Sequence, residues 1–375
     1  MKILFVATVD LHIQTFHLRT IHELSARGDI VDVVTNGTYT NDDIHHKYTL
    51  PFSRNPLSLD NVKAKNELRK ILIQEKYDIM SCHTPLAAYF ARVASKGLDM
   101  KVIYTAHGFH FYKGAPLVNT LIYKNMEKIA AKYTDTLVTI NPEDYEAAKK
   151  FTYKPNGGPI YIPGVGIDVH KIQSLKYSKE EIRKELNLPS DAFVMYSIGE
   201  LNENKNHQFV IDTMKDELLN SNTYYVIAGD GKLRDYYKEY LEKEHLQDKV
   251  LFLGFRKDAR RLLYGADIFV FPSKREGLPV SVIEAMSAGL PIIATDIRGN
   301  HDLIQNDKNG YLYAVDDSNT LKDRIHTLMN DVELRNTLGS QARNDAEIYS
   351  IENVDPMIMN LYKSERQRCT SGDVK

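Results

Sequence analysis

The chain has 375 residues, 43% hydrophobic and 26% charged, which exceeds the ~250 to 300 residues at which one hydrophobic core stops growing, so two domains are expected. Lys plus Arg number 48 against 50 for Asp plus Glu; a balance this even gathers no polyanion and excludes a dedicated nucleic-acid binder. Only Cys82 and Cys369 occur, too few for a disulfide framework or a thiolate metal cage, and in keeping with a reducing cytoplasm.

The chain opens on MKILFVATVD, whose apolar run is too short for a secretory signal and reads as a first strand. No window approaches the ~18 to 20 apolar residues of a membrane span. ILFVAT, DIVDVVT, YDIMSCH, KVIYTAH and DTLVTI are short runs rich in Val, Ile and aromatic residues, separated by stretches of helical period such as 61–76. Continuous apolar strands alternating with helices predict βαβ units around a parallel sheet. Up to Asp168 the chain holds 20 of its 48 basic residues, 17 of its 50 acidic residues and eight of its 13 histidines, so the two parts differ in charge.

YKPNGGPIYIPGVGIDVHKI follows, where Pro155, Gly157, Gly158, Pro159, Pro163, Gly164 and Gly166 are expected to break any regular element and form an interdomain hinge. The alternation then restarts with AFVMYSIGE, TYYVIAGD, KVLFLGF, ADIFVFPS and LPIIATD, with helices expected from about 206, 232, 259, 280 and 320. This predicts an α/β chain of two doubly wound Rossmann-like domains, 1–168 and 169–349. After Asp331 the pattern is helical to about Arg366, ahead of a frayed CTSGDVK, and 350–375 is expected to cross back onto the first domain.

The densest chemical signal is FVFPSKREGLPVSVIEAMSAGLPIIATD. A strand ends in a turn bearing Glu276, and a helix is entered at Pro279, where proline sacrifices no internal hydrogen bond. The amides of Gly277, Leu278 and the first turn would face the crevice at the strand's carboxyl end, a place suited to a diphosphate. Glu284 lies eight residues past Glu276. Paired carboxylates invite a glycosidase reading, but groups separated by a loop and two helical turns fit two hydroxyl-bearing parts of one ligand better than one scissile bond.

Together with GELNENKNH, AGDGKLRDYY and VLFLGF, this arrangement resembles the retaining family 4 glycosyltransferases of GT-B fold, in which two Rossmann-like domains flank a cleft. VATVDLHIQTFHL and IYTAHGFHFYKGAP resemble the bacterial capsular and exopolysaccharide members that extend a lipid-linked sugar. The resemblance implies that Glu284 holds the ribose of a nucleotide and Glu276 the transferred sugar, while Gly277 and Leu278 hold the diphosphate. Lys205 stands at the lysine of the family's phosphate-binding pair, but the arginine of that pair is replaced by Glu200. A carboxylate there must turn away or be paired, and Arg298 in TDIRGN is expected to pair with it and to meet the phosphate. Phe255 and Arg256 match the stretch that edges the base. His107 corresponds to the histidine beside the donor sugar; His110 is a second candidate, on the acceptor side. Where the family often has two glycines this chain has VDLH, which makes Asp10 and His12 candidates for acceptor hydroxyls.

The resemblance implies a uridine diphosphate sugar as donor and a polyprenyl-diphosphate-linked saccharide as acceptor, with no metal or other cofactor. Lysines at 63, 65, 70 and 76 with Arg69, and Leu117, Val118, Leu121 and Ile122 ahead of Lys124, Lys128 and Lys132, suit anionic lipid heads. The chain is therefore expected to be cytoplasmic and peripheral at the inner face of the cell membrane. A nucleotide-sugar epimerase of the same fold and a non-catalytic nucleotide-sugar-binding module are the alternatives. GDGKL lacks the third glycine and later acidic residue of a dinucleotide site, no P-loop is present, Ser273 lacks a nucleophile elbow, and His45–His46 has no ligand partner at helical spacing.

Overall fold

The computed structural model describes residues 1–112 and 116–363. The chain divides into two compact units, one made of Met1–Val165 with the segment from Val354, the other of Gly166–Asn353. The boundaries fall at 165 and 353, where 168 and 349 were expected. The tail from 364 onward lies outside the described residues.

The first unit is a seven-stranded sheet of β1 (Lys2–Val6), β2 (Ile30–Thr35), β3 (His46–Thr49), β4 (Ile79–His83), β5 (Lys101–Ala106), β6 (Thr136–Thr139) and β7 (Gly158–Tyr161), in the order β3-β2-β1-β4-β5-β6-β7. Every pairing is parallel, with Phe5 of β1 beside Val33 of β2 and Ser81 of β4. Successive side chains of a strand point to opposite faces. Accordingly Leu4 and Val6 enter one core and Ile3 and Phe5 the other, and because both faces are covered the strand reads as unbroken apolar sequence. Val354, Leu361 and Tyr362 complete the second of these cores.

The second unit holds β8 (Phe193–Ile198), β9 (Thr223–Ala228), β10 (Val250–Phe252), β11 (Ile268–Phe271), β12 (Ile292–Thr295) and β13 (Gly310–Tyr313), in the order β10-β9-β8-β11-β12-β13 and again all parallel.

Three sequence expectations are corrected. The Gly- and Pro-rich stretch after 155 does contain a regular element, β7: it pairs with β6 alone, at the edge of the sheet, where Pro159 forfeits no ladder bond the strand needs. His45–His46, which follows Asp42–Asp43 in a stretch whose polar sequence reads as loop, is partly strand, since His46 opens β3. The C-terminal helix is not continuous: the helices Val332–Asp345 and Ile351–Asn360 are separated by a 3-10 turn and an extended, buried Ser350. The break lets Ile167 donate to the Tyr349 carbonyl at 2.8 Å and accept from the Ile351 amide at 2.9 Å.

Candidate functional site

In each sheet the winding direction reverses at one pair of neighbours, and loops leaving the carboxyl ends of those strands part to open a crevice. In the second unit that pair is β8 and β11. Lys205, in the loop after β8, meets Glu276, in the loop after β11, with Nζ and Oε1 2.7 Å apart. Nζ also stands 4.6 Å over the Phe271 ring that closes β11. The loops are fastened by backbone as well: the Lys274 amide donates to the Asn204 carbonyl at 2.8 Å, and Asn204 Nδ2 donates to the Arg275 carbonyl at 3.0 Å. Gly229 after β9 lies so close that a Cβ there would be 1.8 Å from the Gly199 carbonyl oxygen, so only glycine admits this approach.

Pro279 immediately precedes the helix Val280–Ser287, which carries Glu284. Glu284 is 6% exposed, and Arg260 Nε donates to its carboxylate at 2.6 Å. Burial pushes the carboxyl above its ordinary range, and the Arg260 charge opposes that rise. Sequence reading missed Arg260, because its only signal is a place in the short helix after β10. Gly254, at φ +68°, turns the chain so that Phe255 is 77% exposed. Arg256 is tied to Asp258 at 2.7 Å and Glu185 at 3.1 Å.

The expected pairing of Arg298 with Glu200 does not form. Glu200 is exposed and enters no ion pair among the described residues. Arg298 is buried instead and donates from Nε to the Glu276 carbonyl at 3.3 Å. The adjacent Gly299, at φ +85°, packs so tightly that a Cβ would be 2.6 Å from the Gly277 carbonyl oxygen. The turn after β12 thus braces the 276–277 loop from behind.

In the first unit the reversal lies between β1 and β4. The helix Asp10–Phe16 after β1 brings in His12, and His17 follows that helix; His83 ends β4, and His107 follows β5. One ring nitrogen of each lies within 4.8 Å of one from each of the others. His12 and His107 meet edge to face at 4.6 Å between ring centres, and His17 and His83 lie 3.7 Å apart. Burial is the main cause that lowers the pKa of all four, His12 to about 4, with mutual repulsion adding for His17, His83 and His107 and Arg54 adding for His12. These four histidines form a cluster of possible metal ligands that the sequence, where they are scattered from position 12 to position 107, does not display.

Asp10 is engaged by partners of its own unit. Its carboxylate accepts from Thr35 Oγ1 and from the Tyr39 amide at 2.8 Å, and sits 3.2 Å from Lys47 Nζ, which ties the loop after β2 to the helix start. The His110 ring lies 4.7 Å from that of Tyr123, centre to centre, and is tilted by 34° to it. The Lys63–Lys76 patch is partly structural, since Arg69 donates to the Ala94 and Lys96 carbonyls at 2.6 and 2.9 Å.

Residues 178–345 match the family described as glycosyl transferases group 1, and 2–141 match glycosyl transferase 4-like. Two such domains and their strand orders define a glycosyltransferase of the GT-B class, and the chain belongs to family 4. It is 35% identical over 370 residues to a putative glycosyltransferase, EpsD, of Bacillus subtilis, covering 97% of this chain and 96% of that one. It is 30% identical over 311 residues, 82% and 80% of the two chains, to an Escherichia coli UDP-Gal:alpha-D-GlcNAc-diphosphoundecaprenol alpha-1,3-galactosyltransferase. In fold it is similar to Anabaena HepE, solved in complex with UDP, with a TM-score of 0.79 at 19% identity over 96% of this chain and 99% of that one.

Proposed function

We propose that this glycosyltransferase moves a sugar from a uridine diphosphate sugar to a saccharide carried on polyprenyl diphosphate, with retention of configuration, in capsular or exopolysaccharide assembly. The observation that carries the reading is the Lys205–Glu276 pair at the strand reversal, with Glu284 buried in the helix that follows. The E. coli relative's name, which specifies UDP-Gal and a diphosphoundecaprenol acceptor, supports the substrate classes.

As the sugar becomes cation-like, charge grows on the departing diphosphate. Lys205 turns from Glu276 to that charge, with the backbone of the 277–279 turn beside it, and Glu276 is released to the sugar hydroxyls. Glu284 takes the ribose hydroxyls, and Phe255 lies against the base. This donor step uses no metal. His107 acts on the transferred sugar as a positioning group. Removing one donor that meets developing charge costs roughly 100- to 1,000-fold in turnover, so Lys205→Ala should lower kcat by at least about 100-fold while the fold persists. Unchanged turnover would overturn the assignment.

The acceptor's lipid is met at the inner face of the cytoplasmic membrane. No helix among the described residues is long and apolar enough to cross a membrane. On the helix Leu117–Ala131, however, Leu117, Val118, Leu121 and Ile122 are exposed, at 87%, 67%, 66% and 42%, and Lys124, Lys128 and Lys132 are exposed with them. An apolar strip flanked by lysines fits an anionic bilayer surface.

A further inference from the structure

Strand order alone delivers four imidazoles to one place. β1 and β4 are neighbours and β4 and β5 are neighbours, so whatever follows each strand meets at one edge of the sheet. Each ring there keeps one buried nitrogen with no hydrogen-bond partner among the described residues: Nε2 of His12, His17 and His107, and Nδ1 of His83. A buried polar atom left unpaired is costly, and four at one point leave the cluster incomplete as a purely structural feature. Each unpaired nitrogen offers the lone pair through which a neutral imidazole ligates.

We propose that His12, His17, His83 and His107 hold one divalent transition-metal cation, for which zinc best fits an all-imidazole set. Imidazole nitrogens bind zinc at ~2.0 to 2.1 Å in a tetrahedron, which sets them roughly 3.4 Å apart. The observed limit of 4.8 Å closes to that by rotation of His12 and His107, the two members of the set that are not fully buried. The outer shell is partly built. His83 Nε2 lies 3.1 Å from Ser81 Oγ, which lies 2.7 Å from the Tyr362 hydroxyl; this chain fixes the ring and leaves Nδ1 for the cation. A cavity of about 30 Å³ lined by His17, His83 and His107 has room for one further small ligand. Neither carboxylate nor thiolate belongs to the set, so the cation keeps its double charge. Ligation through one nitrogen of His107 would also fix which of its nitrogens faces a substrate.

The inference rests on the first unit alone and is tested without donor or acceptor, so its failure and that of the transfer reading are separable. The full chain is purified without chelator, and metal is measured by mass spectrometry after dialysis. About one zinc per chain is expected, with cobalt(II) replacing it to give the visible bands of tetrahedral coordination. His83→Ala should weaken zinc by more than the roughly 10- to 100-fold that loss of an outer-shell partner costs, and Ser81→Ala by no more than that; circular dichroism checks that both variants fold. Retention of less than about 0.1 zinc per chain together with no rise in melting temperature on adding zinc would overturn the proposal. So would undiminished zinc in the variant with all four histidines changed to Ala, or stabilisation by inorganic diphosphate where zinc does nothing, which would make the cluster an anion site.

Discussion

Glu284, proposed to hold the ribose, is buried where its charge works against the fold. Its carboxyl titrates above the ordinary range because it is buried, so the folded chain holds that proton more tightly than the unfolded one, and keeping the group charged at neutral pH destabilises the unit. Glu284→Gln removes the buried charge and leaves Arg260, whose side chain is 52% exposed, to water. Hydrogen bonds to a charged acceptor are worth about 1.5 to 3 kcal/mol, so calorimetry should show UDP binding weakened about 10- to 100-fold, with melting temperature unchanged or raised. Equal affinity would remove Glu284 from the ribose. His207 works in the opposite sense. It is buried against the Tyr225 hydroxyl at 3.1 Å, and burial, helped by Lys205, lowers its pKa to about 3. An unfolded histidine takes up a proton near pH 6.5, so stability from this group is full above that pH and falls by about 1.4 kcal/mol per unit as pH drops toward 3. Denaturant titrations from pH 7 to 4 should show His207→Gln with a shallower acid limb; identical slopes would contradict this. At this scale the placement of Lys205 and Glu276 in the loops after their strands, and of Glu284 on the following helix, was legible, because each keeps a fixed place relative to a strand end. The histidine cluster was not, because His12 and His107 are brought together only by the order of the strands.

Among the elements, the helix Leu117–Ala131 is fastened on one side and open on the other. Arg92 of the helix Pro85–Ala94 donates to Glu127 at 2.7 Å, Tyr104 of β5 donates to it at 3.0 Å, and the Arg92 guanidinium stacks 3.9 Å from the Tyr104 ring. That buried link, invisible in the sequence, anchors a helix whose opposite apolar residues are exposed. Neutralising Lys124, Lys128 and Lys132 should weaken binding to anionic vesicles by about 1 kcal/mol per charge near the surface, an effect that shrinks as salt rises. Cosedimentation unchanged at low salt would show that the helix does not meet lipid. Interior strands were readable because burial on both faces leaves no polar alternation. β3, β7 and β13 were not: β3 and β7 are partly exposed edge strands, and β13 begins at Gly310, where a Cβ would lie 2.3 Å from the Ile292 carbonyl oxygen, so a required glycine reads as turn.

Across the whole chain, both sheets repeat one plan: strands laid outward one way, a return to the start, then strands laid the other way. In the first unit the histidines gather where the direction reverses, and in the second the Lys205–Glu276 pair does. Two doubly wound domains followed from the doubled βαβ alternation and the GT-B class from the resemblance of the motifs around Glu276 and Glu284, whereas the donor sugar and acceptor depend on surfaces that no strand pattern encodes. The central claim is transfer from a uridine nucleotide sugar to a lipid-linked saccharide. Its most direct test is release of nucleoside diphosphate by the purified chain from a panel of nucleotide sugars, with and without a polyprenyl-diphosphate-linked saccharide. The account predicts UDP release that requires the acceptor, yields a product one sugar longer, and is lost in Lys205→Ala. Interconversion of the donor sugar without any acceptor, or no release from any uridine donor, would contradict it.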